Sequence, residues 1–374
     1  MNGKKIRLSK SSISEAEKQA VVKVLDAEYL GMGDEVKLFE QEIKEYLQTD
    51  KEVVCVNTGT SALHLALSAL GICPGDEILV PSLTYVASFQ AISAVGATPV
   101  ACEIDPETLF LDTDDARKRI TAKTKVIMPV HYASSSKGME KVYALAEEYG
   151  LRVVEDAAQA FGSVRNAQKV GIKGDIICFS FDGIKNITSA EGGAILSDDA
   201  AFIQKVQDAR LLGVEKDTDK RYAGQRSWDF DVKEQGFRYH MSNVFAAIGR
   251  VQLTRIESFK TKRRSIAKRY VQTLGHVREI EFLDYDFDEI LPHIFVIKAQ
   301  KRDALREFLI AANIECGIHY KPNHLLSKYR SEYHLPITEH IYDRVLTLPC
   351  HVDLTEEEQH YVIEKIEEFY KTII

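Results

Sequence analysis

The chain has 374 residues, 45% of them hydrophobic and 28% charged, with 48 Lys+Arg against 56 Asp+Glu for a formal net charge of -8. That length accommodates a large domain plus a smaller one with ample core, in the composition of an ordinary soluble protein. The acid excess argues against nucleic acid as a partner, because duplex binding needs a basic face.

The basic run 260–264 reads instead as the solvated side of a helix. Cys55, Cys73, Cys102, Cys178, Cys316 and Cys350 are scattered without C-x-x-C spacing and read as reduced thiols of a cytosolic protein. The opening Met-Asn-Gly-Lys-Lys-Ile-Arg-Leu lacks the apolar core of a signal peptide, and no apolar run approaches membrane-spanning length. The expected location is the cytoplasm, with no membrane partner.

Residues 12–47 carry helical periodicity. Ser12 with Glu15, or Ser14 with Glu17, has capping-box spacing, and a second helix follows Gly33-Asp34. The loop between them, Gly31-Met32-Gly33, is a weak substrate-side candidate. A buried strand at 52–56 runs into Asn57-Thr58-Gly59-Thr60-Ser61-Ala62, which opens a helix. A glycine and hydroxyls at such a turn place free N–H groups and the positive end of the helix dipole at one point. Gly59, Thr60 and Ser61 are therefore candidates to hold a phosphate, while Thr58 or Thr60 equally serves as a plain N-cap.

Short apolar runs at 76–80, 98–102, 124–130 and 151–154 alternate with helical segments, including 139–149. That alternation argues for a mostly parallel, doubly wound sheet. Residues 213–240 are the least regular part. A long helical pattern from 241 to about 274 links to a segment of different rhythm, with strands expected at 294–299 and 315–319 and helices at 303–312 and 356–370. This reads as a smaller α+β domain, the division falling at 1–250 and 251–374.

Two β-type runs, 176–181 and 193–196, flank the loop Asp182-Gly183-Ile184-Lys185-Asn186-Ile187-Thr188. A lysine held between buried strands favours the neutral amine, the nucleophile that makes a Schiff base with an aldehyde. Upstream, Asp156 stands where a strand leaves the core, the position at which parallel sheets bind ligands. A carboxylate there can keep a pyridinium nitrogen protonated; a turn-capping aspartate is the plainer alternative.

Phe-Ser-Phe-x-x-x-Lys-Asn-x-Thr with Glu-Gly-Gly downstream, together with Glu-Asp-Ala-Ala-Gln upstream, resembles the DegT/DnrJ/EryC1/StrS family of pyridoxal-phosphate (PLP) sugar aminotransferases over nearly the whole chain. The resemblance implies fold type I in the aspartate aminotransferase superfamily, an α/β class. Its large PLP-binding domain carries a mostly parallel seven-stranded-type sheet between helices, beside the smaller C-terminal domain. It implies Lys185 as the catalytic amine and Asp156 at the ring nitrogen. Tyr85 would stack on the cofactor face, Gln159 would reach its phenolic oxygen or the substrate, and Ser180 its phosphate.

The segment 236–243 is similar to one that crosses to the partner subunit in a homodimer with shared sites. Relatives carry an asparagine at the site of Arg238 or His240; this chain has neither, and Arg238 can serve a phosphate as a cation. His319, Tyr320, Lys321 and His324 resemble the sugar-nucleotide side of the site, and no metal is expected of the two histidines. His131 lies in a segment similar to one beneath the cofactor, and equally suits a core position. The family commonly has His where this chain has Asp182.

By this resemblance the reaction moves an amino group from glutamate to a nucleotide-linked 4-keto-6-deoxyhexose, for a surface glycan such as O-antigen. A 3-keto sugar or small phosphorylated ketone is the alternative acceptor, and a non-catalytic PLP- or sugar-binding regulator the alternative class. A dehydratase subgroup has histidine in place of the lysine, which Lys185 excludes here. Acceptor choice lies in loops 213–235 and 317–330, for which spacing carries no code.

Overall fold

The computed structural model describes residues 5–330 and 334–373. Residues 1–4, part of the stretch read above as lacking a leader, lie outside it, with 331–333 and 374. Nine strands come first in the chain: β1 Glu52–Val56, β2 Glu77–Pro81, β3 Thr98–Cys102, β4 Thr124–Ile127, β5 Arg152–Asp156, β6 Val164–Arg165, β7 Gln168–Lys169, β8 Ile176–Ser180 and β9 Gly193–Ser197. Seven of them form one sheet in the order β1-β9-β8-β5-β4-β2-β3, and β6 and β7 make a small separate hairpin. Only β9 runs against its neighbours in the large sheet, antiparallel to both β1 and β8.

Side chains alternate across these strands, as a pleat dictates. Val54, Val56, Ile176, Cys178 and Ile195 pack on one face with the helix Gly59–Ala69. Val53, Cys55, Ile177, Phe179 and Leu196 pack on the other with the helix Asp34–Leu47. Both faces are covered, so these strands read in the sequence as nearly continuous apolar runs.

A second sheet, β10 Ile280–Phe282, β11 Phe295–Ala299 and β12 Val345–Leu348, is antiparallel throughout. Its core draws on the helices Ile256–Leu274, Arg302–Ala311 and Glu356–Ile373. Ile6 joins that core and pairs with Ile314, so the start of the chain reaches this second body. Ser14 and Glu17 form the capping box at the helix Glu15–Asp26.

Three expectations are corrected. Residues 315–319 make no strand; only Gly317 bridges to Thr347. The helical pattern after 241 is two helices, Asn243–Thr254 and Ile256–Leu274, broken at Arg255. There φ -99 and ψ -4 depart from the helix, and the guanidinium binds Ser12 O (3.1 Å) and Glu17. The basic run 260–264 is not wholly solvated. Arg263 is buried, its Nη1 donating to the carbonyls of Pro292 (3.1 Å), His293 (2.9 Å) and Cys350 (2.9 Å). All six cysteines are unpaired, five of them buried. Among the described residues no helix is long and apolar enough to cross a membrane.

Arg210, fully buried, ties the edge strand to both its flanking helices. It donates to Glu40 Oε1 (2.6 Å), to Cys55 O (2.8 Å) and to Tyr222 Oη (2.8 Å), while Glu40 also accepts from the Cys55 N–H (2.7 Å). Arg210→Ala strands a buried carboxylate, and it should lower unfolding free energy by about 3–5 kcal/mol in urea denaturation. A loss below about 1 kcal/mol would contradict this account of the β1 edge.

Candidate active site

The carboxyl ends of β1, β5 and β8 and the start of the reversed strand β9 meet at one point. Gly193 pairs with both Val56 and Ser180. A Cβ on Gly193 would come within 2.5 Å of Thr58 O, and one on Gly59 within 2.6 Å of Ser180 Cβ. Glycine at both positions lets the turn after β1 lie directly against Ser180. Around this junction lies a cavity of about 580 Å³, bordered by Gly59, Thr60, Tyr85, Asp156, Gln159, Ser180, Lys185, His293, His319 and Tyr320.

At the helix start, Thr58 is the N-cap. Its Oγ1 accepts from the Ser61 N–H (3.0 Å) and its carbonyl from the Ala62 N–H (3.1 Å). The Ser61 hydroxyl is committed to Asn57 Oδ1 (2.6 Å), and Ser61 is buried. The first N–H groups of a helix have no partner within it. Those of Gly59 and Thr60 remain, at the positive end of the helix dipole, with the Ser180 hydroxyl alongside. This donor set suits a phosphate dianion.

Asp156, 6% exposed, accepts from Ser88 Oγ (2.7 Å) and the Ala158 N–H (3.2 Å), which fixes the carboxylate at the cavity wall. Gln159 accepts from the Ala133 N–H at Oε1 (2.7 Å), so its Nε2 turns toward Tyr320 Oη (3.2 Å). Tyr85 is 58% exposed, its ring centroid 5.6 Å from that of Tyr320. Tyr132 Oη donates to His319 O, and His319 Nδ1 lies 2.7 Å from Thr347 Oγ1. Burial first, and then Lys185, hold His319 down at about 4.

Lys185 borders the cavity, so part of its side chain is open to it, while protein encloses the amine on its other sides. Burial lowers its pKa below the ordinary lysine value; Asp156 and Asp182 oppose that shift. Among the described residues no carboxylate forms an ion pair with it, and its nearest polar contact is His293 Nε2 at 3.5 Å. The loop is held from its next residue: Asn186 Nδ2 donates to Gln159 O (3.2 Å), Phe161 O (2.9 Å) and Leu291 O (3.2 Å). Beneath it Phe161 meets Phe179 and Phe181 edge-on at 5.1 and 5.3 Å, contacts each adding about 0.5–1.5 kcal/mol beyond area burial.

Other expected residues lie apart from the cavity wall. Lys321 is exposed, and His324 is buried against Ser82 Oγ (2.7 Å) and Glu339 (3.1 Å). His240 is bridged to Val56 of β1 and held at about 4 by burial, then by Arg238, Arg210 and Arg221, while Arg238 bridges to Leu211. His131 is buried, with its Nε2 2.7 Å from Glu155 Oε2. Sequence reasoning missed His293, Ser88 and Asn186. The signals for these were slight: a histidine opening an apolar run, a serine one turn into a helix, and the residue after the lysine.

A buried, unpaired amine facing a carboxylate, with a phosphate cradle at a helix start, fits pyridoxal phosphate. On this fold it defines a fold type I pyridoxal-phosphate aminotransferase. The chain matches the DegT/DnrJ/EryC1/StrS aminotransferase family over residues 11–367, and it belongs to that family. It is similar to the putative sugar aminotransferase Spr1654 from Streptococcus pneumoniae in its PLP form, at 30% identity over 99% of this chain and 100% of that one, TM-score 0.92. S. venezuelae DesV is 32% identical over 95% and 94%, TM-score 0.87. Helicobacter pylori PseC, an aminotransferase involved in the biosynthesis of pseudoaminic acid, is 26% identical over 99% and 100%, TM-score 0.90.

Two outcomes follow. Gly59→Ala forces the turn from Ser180 at a cost of about 1–3 kcal/mol, so PLP affinity by equilibrium dialysis should fall by about 5- to 150-fold. The second concerns charge. A lysine whose folded pKa is lowered destabilises the fold at every pH below the unfolded value of about 10.4, fully below the folded pKa and by less and less as pH rises between the two. Cofactor-free Lys185→Met should therefore be more stable than the parent at pH 7, the gain shrinking as pH rises toward that value. A gain that grows with pH in thermal melts would reverse the assignment.

Proposed function

We propose that the protein moves an amino group from glutamate to a nucleotide-linked keto-deoxysugar, a 4-keto-6-deoxyhexose, supplying a surface glycan such as O-antigen. The observation that carries the reading is the Lys185 amine, enclosed without a counter-ion at the strand ends beside Asp156. Pyridoxal phosphate supplies the aldehyde and the electron sink that transamination requires. Gly59, Thr60 and Ser180 would hold its phosphate, Asp156 would offer a carboxylate to its ring nitrogen and Tyr85 would pack against the ring. Gln159, whose Oε1 is taken by the Ala133 N–H, would have its Nε2 left for the cofactor or substrate.

Lys185 Nζ is the nitrogen that would hold the cofactor's aldehyde, and as a free amine it would be the base that takes and returns the donor's Cα proton. His319 and Tyr320 border the acceptor side, with Lys321 on the loop beyond them and His324 buried behind it. A cavity of about 580 Å³ falls in the range that encloses a ligand larger than the cofactor alone. The division at about residue 250 lets the second body close that side, and His293 already reaches across.

Trp228, Phe230 and Val232 are 87%, 55% and 47% exposed on the loop between Tyr222 and Arg238. Such apolar exposure supports a homodimer in which this loop, Arg238 and His240 face a partner's cofactor phosphate.

Lys185→Ala should abolish transamination and the visible absorbance of the bound cofactor. Offered a panel of nucleotide-linked ketosugars with glutamate or glutamine, the enzyme should aminate the 4-keto-6-deoxy members with glutamate, read by product mass. Conversion confined to 3-keto sugars or small phosphorylated ketones would replace the proposed acceptor. Sedimentation should show a dimer, and an active monomer would remove the shared site.

A further inference from the structure

His293 stands just before β11, in the second body, yet its ring borders the cavity at the end of the large sheet. Two hydrogen bonds clamp its backbone. Its N–H donates to Ser134 Oγ (3.0 Å), and its carbonyl accepts from the buried Arg263 Nη1 (2.9 Å). Ser134 Oγ in turn donates to Gln159 O, so the clamp is continuous with the cavity wall. The residue is 4% exposed, among the described residues its Nδ1 has no partner, and its Nε2 lies 3.5 Å from Lys185 Nζ.

That asymmetry decides where the ring proton sits. A neutral imidazole carries one N–H, and on Nδ1 it would be a desolvated donor with nothing to donate to. The proton is therefore assigned to Nε2, on the side of Lys185. A donor pointed at Nζ needs a lone pair there, which a neutral amine has and an ammonium lacks.

We propose that His293 is a positioning residue for Lys185: its Nε2–H selects the uncharged amine and aims the amine's lone pair, without adding a counter-charge. A carboxylate in this place would do the reverse, since it accepts from an ammonium and holds its charge. At 3.5 Å the contact lies at the outer edge of hydrogen bonding, so it orients the amine and leaves it free to turn toward an aldehyde.

Burial is the first cause that holds the His293 pKa well below the ordinary histidine value; any proton that Lys185 carries adds to it, then the Arg263 guanidinium and any charge on His319, all in the same direction. On the Lys185 side, Asp156 and Asp182 are the groups that favour the ammonium, and burial outweighs them. His293 thus stays neutral across the pH range in which the amine must do so too.

The proposal deepens the function proposed above and rests on it in taking Lys185 as the reactive amine. Its test reads ionisation and tautomer rather than turnover, so it fails separately from the substrate assignment. In the full-length chain labelled with ¹⁵N-histidine, and with its peaks assigned by their loss in His293→Gln, His293 should show a protonated Nε2 and a bare Nδ1 at neutral pH. An Nδ1–H tautomer or an imidazolium there overturns the proposal.

A second measurement uses the full-length protein freed of pyridoxal phosphate. Brief acetylation at graded pH, with the Lys185 peptide followed by mass, gives the ionisation midpoint of the amine. His293→Gln keeps a neutral N–H donor and should stay close to the parent, while His293→Asp should raise the midpoint by more than about one unit. Equal midpoints in the parent and both variants overturn the proposal. Should His293→Asp fail to melt cooperatively, the tautomer measurement on the parent still decides.

Discussion

The structure depends on an amine that is enclosed without being neutralised by a partner. Taking an ammonium out of water costs several kcal/mol even after the protein relaxes, and proteins ordinarily meet that cost with a carboxylate. Among the described residues no carboxylate forms an ion pair with Lys185, and the polar group within hydrogen-bonding reach of it is an imidazole. Burial instead lowers the lysine pKa, which favours the neutral, nucleophilic amine and leaves a stability cost that persists up to the unfolded pKa. Asp156, close enough to favour the charged amine, is itself occupied by Ser88 and the Ala158 N–H.

Much of the surrounding architecture serves to hold that arrangement open on one side only. The reversed strand β9 brings Gly193 against both Val56 and Ser180, and the glycine at 59 lets the helix start come into contact with Ser180. The Lys185 loop cannot drift, because Asn186 is bonded to three carbonyls from two separate segments. One of these, Leu291, lies two residues before His293, so the loop and the second body are fastened at the same place. The loop therefore stays shaped even where its tip borders the cavity.

The large sheet was legible because its strands are buried on both faces and stand out as apolar runs of five residues; β1 and β3 lie where the sequence places them. Lys185 and Asp156 could be picked out because one sits in the loop between two such runs and the other at a strand end, whereas Gln159 and Ser180 came from the family resemblance alone. The second sheet was harder. Its β10 is only Ile280–Phe282, and the apolar alternation at 315–319 holds a single bridge at Gly317, since Thr347 and not the local pattern decides the pairing. Arg263 looked solvated within a basic run, and only three carbonyls from distant segments explain its burial. His293 offered no spacing to read, because its partner is 108 residues away and its meaning depends on an atom that has none.

The most direct test of the central claim is chemical. The protein is loaded with pyridoxal phosphate, reduced with borohydride and digested, and the peptides are mapped by mass. The account predicts a single stable pyridoxyl adduct on Lys185. An adduct on another lysine, or none on a protein that still binds the cofactor, would contradict it.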